Sequence, residues 1–291
     1  MQLAKPIGAL LTVGLFTLPN CLQAQPTAHY PAGLEGIKAA TLPPPGVYLR
    51  DYNWFYYADH VNNSQNNKVA DQEAFIYAQA PRLIWITEAK LLGGNLGVDA
   101  LMPFMYKDLK GVDQAFSAGD FFFEGTWSWH PKQWDIGLGV GAWAPTGKFS
   151  ANNPIYAGLG YWTEMLTAGA TWYPDEAKKW SISALNRYEF NQGQQDTGIT
   201  IGQAYTVEGG IGYALFKGID VGAIGYYQQQ VTGDEDNPFG SGRDRVAAVG
   251  PEISAFFPEI MLGVSLRYAY EFLADSRLQG NTFTLTITKR F

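Results

Sequence analysis

From residue 46 onward the chain repeatedly sets apolar side chains at every second position, the period of a strand with two unlike faces. The last segment shows it most plainly: Phe283, Leu285, Ile287 and Phe291 fall on one face, and Thr282, Thr284, Thr286, Thr288 and Arg290 on the other. Just upstream, Leu262, Val264, Leu266, Tyr268, Tyr270 and Phe272 alternate with Gly263, Ser265, Arg267, Ala269 and Glu271. The same period returns at 134–143, 180–184 and 205–215, where small residues such as Gly137, Gly139 and Gly141 occupy the second face. Further strands are predicted at about 47–58, 73–87, 95–106, 119–130, 161–173, 219–231 and 245–257, which gives about twelve in all.

Beyond residue 24 no run approaches the roughly 18 consecutive apolar residues of a spanning helix. Strands of about ten residues with one apolar and one polar or small face are instead the signature of a barrel with lipid outside and a polar lumen inside. Connection lengths support this. Long polar stretches at 59–71, 107–118, 145–160, 191–203, 231–244 and 273–281 alternate with short ones at about 88–94, 131–133, 174–179, 216–218 and 258–260, as expected of long extracellular loops and short periplasmic turns. Trp127, Trp129, Trp134, Trp162, Trp172, Tyr173 and Trp180 gather near predicted strand ends, where amphipathic rings suit the headgroup zone. The fold class expected is all-β: a transmembrane antiparallel up-and-down β-barrel of about twelve strands, preceded by a signal peptide. Its location would be the outer membrane of a Gram-negative cell, with the lipid of that membrane as its surround.

Three regions follow. Residues 1–24 read as a signal peptide, with Lys5 as the positive end, an apolar run from Ile7 to Leu18 and a cut after Ala24. Residues 25–45 hold Pro31, Gly33, Gly36 and the run Pro43-Pro44-Pro45. This composition is unsuited to a strand and compatible with a plug in the barrel mouth or with a periplasmic lead-in. Residues 46–291 form the barrel.

Composition narrows the function classes. Only 16% of the 291 residues are charged, against roughly a quarter in soluble domains. Cys21 is the only cysteine and falls within the predicted signal, so no disulfide or thiolate metal site is expected. The net charge is −7, and no basic cluster points to nucleic acid. The candidate inward charges are Arg82, Glu124, Asp135, Arg187, Glu189, Glu208, Glu252, Arg267 and Glu271. They suit either a pore lining or a salt-bridge network that fills the lumen. Catalysis is not expected: among His29, His60 and His130 only His130 shares a strand face with a nearby serine, Ser128, at about 7 Å, too far for direct proton transfer. No metal is expected, because the histidines are scattered and the acidic loop Asp234-Glu235-Asp236-Asn237 lacks the full calcium-loop spacing. No cofactor is implied. The terminal Phe291, with Phe283, Leu285 and Ile287 before it, resembles the assembly signal read by the barrel-insertion machinery, although Lys289 departs from its pattern.

Several segments together resemble the meta-pathway phenol-degradation family of outer-membrane proteins. They are HYPAGLEGIKAATLPPPGVYLR at 29–50, GDFFFEGTWSWHPKQWDIGLGVGAWAPTGKF at 119–149, LNRYEF at 185–190, GYYQQQVTGD at 225–234, RDRVAAVGPEISAFFP at 243–258, LRYAYEF at 266–272 and the ending TLTITKRF. The resemblance implies a barrel of about twelve strands acting as a channel for passive uptake of small aromatic or hydrophobic molecules. The competing expectation is a non-conducting structural or adhesion barrel whose lumen is closed by its own side chains.

Overall fold

The computed structural model describes residues 28–153, 155–238 and 243–291; the predicted signal peptide lies outside them. Among the described residues fourteen strand segments follow one another: β1 (Gly46–Asn62), β2 (Lys68–Leu91), β3 (Gly94–Leu101), β4 (Phe104–Leu109), β5 (Asp113–Ala118), β6 (Phe121–Trp129), β7 (Trp134–Ala144), β8 (Thr163–Trp172), β9 (Trp180–Asn191), β10 (Ala204–Phe216), β11 (Ile219–Gln230), β12 (Arg245–Phe257), β13 (Leu262–Asp275) and β14 (Leu278–Arg290). Each is antiparallel to its neighbours. The wall closes where β1 pairs with β14, from Tyr48↔Arg290 to Val61↔Leu278.

Fourteen segments make twelve spanning strands because two strands are interrupted. The inner half of β2 pairs with β3 and its outer half with β4, while β6 and β5 lie against β3 and β4 in turn. Thus β3 and β4 are one strand broken at Met102-Pro103, and β5 and β6 are one strand broken at Gly119-Asp120. Pro103 has no N–H to give the ladder, and its carbonyl instead accepts the Gly119 N–H at 2.8 Å.

Three of the expected long loops are shorter than the hydropathy pattern implied. The chain at 107–118 is mostly the β4–β5 hairpin, 59–71 shrinks to the turn at 63–67, and 273–281 shrinks to Ser276-Arg277. The physical reason is that alternation reports contact with lipid, whereas backbone pairing continues into water beyond it. At the opposite end the turns are short. Leu92 and Gly93, with φ of 47° and 82°, make the two-residue reversal between β2 and β3 that a right-handed strand twist favours. Asp175 accepts the backbone N–H groups of Trp180 and Lys179, each at 2.8 Å, and these bonds hold its carboxyl below the usual carboxylate range.

The outer surface carries an apolar belt that includes Leu83, Val98, Val140, Leu166, Ile211 and Ile253, all exposed. Rings cluster at its periplasmic edge: Trp134 stacks on Trp172 at 6.0 Å, and Trp180 meets Tyr213 at 4.8 Å. Trp127 and Trp129 donate to the carbonyls of Leu91 and Leu92. Tyr173 departs from the expected girdle, since it turns inward and is 5% exposed. Phe283, Leu285 and Ile287 face outward on β14, and Phe291 is exposed at the periplasmic rim, its N–H bonded to the Val47 carbonyl at 3.0 Å. This belt and closure make the chain an outer-membrane protein.

A charge at the belt's midplane has no partner in hydrocarbon. Val140→Arg is expected to lower stability by about 2–4 kcal/mol, while Gln114→Arg, on the β4–β5 hairpin, changes it by less than about 0.5 kcal/mol; urea titration of folding into phospholipid vesicles reads both.

Candidate functional site: an apolar cavity above a filled lumen

Residues 28–45 run inside the lumen toward the periplasmic rim and then enter β1. Having no strand partner, the segment must place its backbone N–H groups elsewhere, and wall carboxylates accept them. Tyr30 N–H donates to Glu189 at 3.1 Å, Gly33 and Glu35 N–H to Glu208 at 3.0 and 3.2 Å, and Ile37 N–H to Glu252 at 2.7 Å. Lower down, Ala39 N–H reaches Ser183 at 3.1 Å and the Thr41 hydroxyl reaches Asp135 at 3.0 Å. At the upper end His29 lies 2.9 Å from Asp120 and 2.7 Å from Thr163, stacked on Trp143. Glycine permits this close approach: a Cβ on Gly36 would collide with the Glu252 carboxylate and the Arg267 stem.

All nine residues singled out as inward charges are buried on the lumen side, and the structure brings six of them into three ion-paired groups. Arg82 makes a two-pronged contact with Asp99, both bonds at 2.8 Å, and a third bond to Glu124 at 2.9 Å. Arg187 pairs with Glu208, whose carboxylate also accepts the Tyr30 hydroxyl. Arg267 lies 3.7 Å from Glu252. Sharing a face did not make Arg187 and Glu189 partners, nor Arg267 and Glu271: cross-strand neighbours are closer than alternate residues on one strand. Glu271 instead accepts the hydroxyls of Tyr56 and Tyr226, each at 3.0 Å. Asp135 stands apart near the periplasmic rim, bonded to His130 at 2.8 Å and to Tyr173.

Above the segment lies a cavity of about 360 Å³, within the range of small-molecule sites. Its floor is Tyr30, Pro31 and Leu34, and its wall includes Trp54, Tyr56, Leu101, Phe122, Trp143 and Met165. Trp54 stacks on Tyr56 at 5.5 Å, and Phe122 packs on Trp143 at 4.6 Å. The cavity extends past Met105 and Leu109 to Gln72 and Val112 at the extracellular hairpins. These apolar lumen residues were missed by an assignment that gave polar residues to the inner face. Their signal was the run Tyr52-Asn53-Trp54-Phe55-Tyr56-Tyr57, which carries rings on both faces of β1.

His130 is turned toward Asp135, and the Ser128 hydroxyl has no hydrogen-bond partner among the described residues. No group of three His, Cys, Asp or Glu converges among the described residues. Asp234 accepts from Gly202 N–H at 2.9 Å and Gln230 at 2.6 Å.

A closed twelve-stranded wall with an apolar belt defines the class of outer-membrane β-barrels. More particularly, the chain belongs to the family described as "Putative MetA-pathway of phenol degradation", whose model matches residues 58–287. An outer membrane channel from Pseudomonas putida F1 superposes with a TM-score of 0.78 at 14% identity, covering 90% of this chain and 99% of that one. The translocator domain of the autotransporter NalP from Neisseria meningitidis gives 0.51 at 8% identity, over 86% of this chain and 90% of that one. The CymD monoaromatic hydrocarbon channel gives 0.44 at 11% identity, over 86% and 89%. No curated protein matches the sequence.

Arg187→Leu would strand the Glu208 charge in the lumen and is expected to destabilise the barrel by about 3–5 kcal/mol. The double variant Arg187→Leu with Glu208→Gln should lose less than the two single losses combined, as measured by urea unfolding in vesicles.

Proposed function

We propose that the chain is an outer-membrane channel for passive uptake of small apolar molecules, aromatic ones in particular, which bind first in the cavity above the lumen segment. The observation that carries this reading is the cavity: a ring-lined space, partly open toward the extracellular hairpins, above a segment held by buried carboxylates. A structural barrel has no need of such a space, and packed interiors rarely leave one. The family's association with phenol degradation points to the same class of compound. The reading assigns no reaction to the protein, because the lumen carboxylates are held by arginines, tyrosine hydroxyls and backbone N–H groups.

The filled periplasmic half favours one rival, a barrel closed to flux. In a porin-deficient Gram-negative host, cells expressing the chain should take up radiolabelled phenol several-fold faster than cells without it, with uptake of a similar-sized sugar unchanged. Equal phenol uptake would establish the closed barrel.

The lumen segment sets the resistance of the path. Deleting residues 28–42 should raise single-channel conductance in planar bilayers several-fold, and an unchanged conductance would show that the segment does not occlude.

A further inference from the structure

The charged side chains that line the cavity are nearly all committed. Arg82 holds Asp99 and Glu124, Arg187 holds Glu208, and Arg277 lies 3.1 Å from Asp244. Asp120 accepts from the Gly147 and Leu159 N–H groups, each at 2.8 Å. Lys107 differs. It sits on β4 facing inward, opposite Ile76 of β2 and Ala115 of β5, half-buried in the cavity wall. Among the described residues it makes no ion pair, and its ammonium has one hydrogen bond, from Nζ to the Tyr156 carbonyl at 2.9 Å. An ammonium has three N–H donors, so two remain. An ammonium withdrawn from water without a counter-charge is costly, and an anion placed beside it removes that cost.

The surroundings define what that anion is attached to. Met105 is two residues from Lys107 on the same face, about 7 Å away along the strand. It packs against the cluster that contains Trp54, Phe122 and Trp143. That separation accommodates one ring against the aromatic wall with its acidic group at Nζ. The Lys148 Nζ lies 3.9 Å from the centroid of the Tyr156 ring, so a second positive charge stands beside the same loop residue and attracts anions from outside.

Resting on the uptake reading above, we infer that the preferred occupant is an amphipathic monocarboxylate, an aromatic ring bearing one carboxylate, with Lys107 as the residue that selects the charged head. The wall aromatics hold the ring and Lys107 pairs with the carboxylate. Neutral analogues fill the same space more weakly.

The test is quenching of intrinsic tryptophan fluorescence in the purified, folded full-length protein, titrated with benzoate, benzyl alcohol and acetate at neutral pH. Benzoate should bind about tenfold tighter than benzyl alcohol, the scale of one charge-assisted hydrogen bond, and acetate should not bind. Lys107→Gln should remove the benzoate advantage and leave benzyl alcohol binding unchanged, whereas Lys107→Arg should keep it; heat-modifiable migration in detergent gels checks that each variant is folded. Equal binding of benzoate and benzyl alcohol, or a benzoate preference that survives Lys107→Gln, overturns the role of Lys107 while the uptake reading stands. No binding of either aromatic overturns both.

Discussion

Nothing in hydrocarbon can hydrogen-bond a free backbone edge, so every strand facing lipid must have two neighbours. The pairing of β1 with β14 meets that condition and determines the rest. Closing a twelve-stranded wall fixes a bore between that of barrels filled by their own side chains and that of open porins. A bore of this size leaves space to be filled, lined or left as water. Here residues 28–45 fill the lower part, and rings line the upper part.

The two parts use opposite chemistry for a shared reason. A chain segment without strand partners needs acceptors for its N–H groups, and the carboxylates of Glu189, Glu208 and Glu252 supply them. Two of those carboxylates are in turn compensated by arginines on neighbouring strands, Glu208 by Arg187 and Glu252 by Arg267, and Glu208 also accepts the Tyr30 hydroxyl. The lower lumen is therefore a mutual satisfaction of buried groups that would each be costly alone. The upper lumen holds only the start of the segment, and aromatic and apolar side chains make up much of its lining.

The wall was legible in the sequence because lipid outside and a polar lumen inside impose a period of two, as at Phe283, Leu285 and Ile287 against Thr282, Thr284 and Thr286. Strand ends were legible only where lipid ends: the β4–β5 hairpin continues in water, where alternation carries no information. The inward position of Arg187 or Glu208 followed from its place in the alternation, but its partner did not, since partners are set by cross-strand register. The cavity was hidden for a different reason. Trp54 and Tyr56 break the rule that the inner face is polar, and residues that serve a ligand rather than the fold are those expected to break it. The composition of residues 25–45 excluded a strand, but the distant carboxylates that receive its N–H groups lie far along the chain.

That distance has a bearing on how the molecule is made. Ala39 meets Ser183 across 144 residues, Tyr30 meets Glu189 across 159, and Ile37 meets Glu252 across 215. Closing loops of such length carries an entropy cost that has to be met before any contact rewards it. The acceptors occupy their places only once the strands from β9 to β12 stand side by side in the wall. A segment that precedes every described strand thus cannot make these bonds until the strands that carry its acceptors are in place.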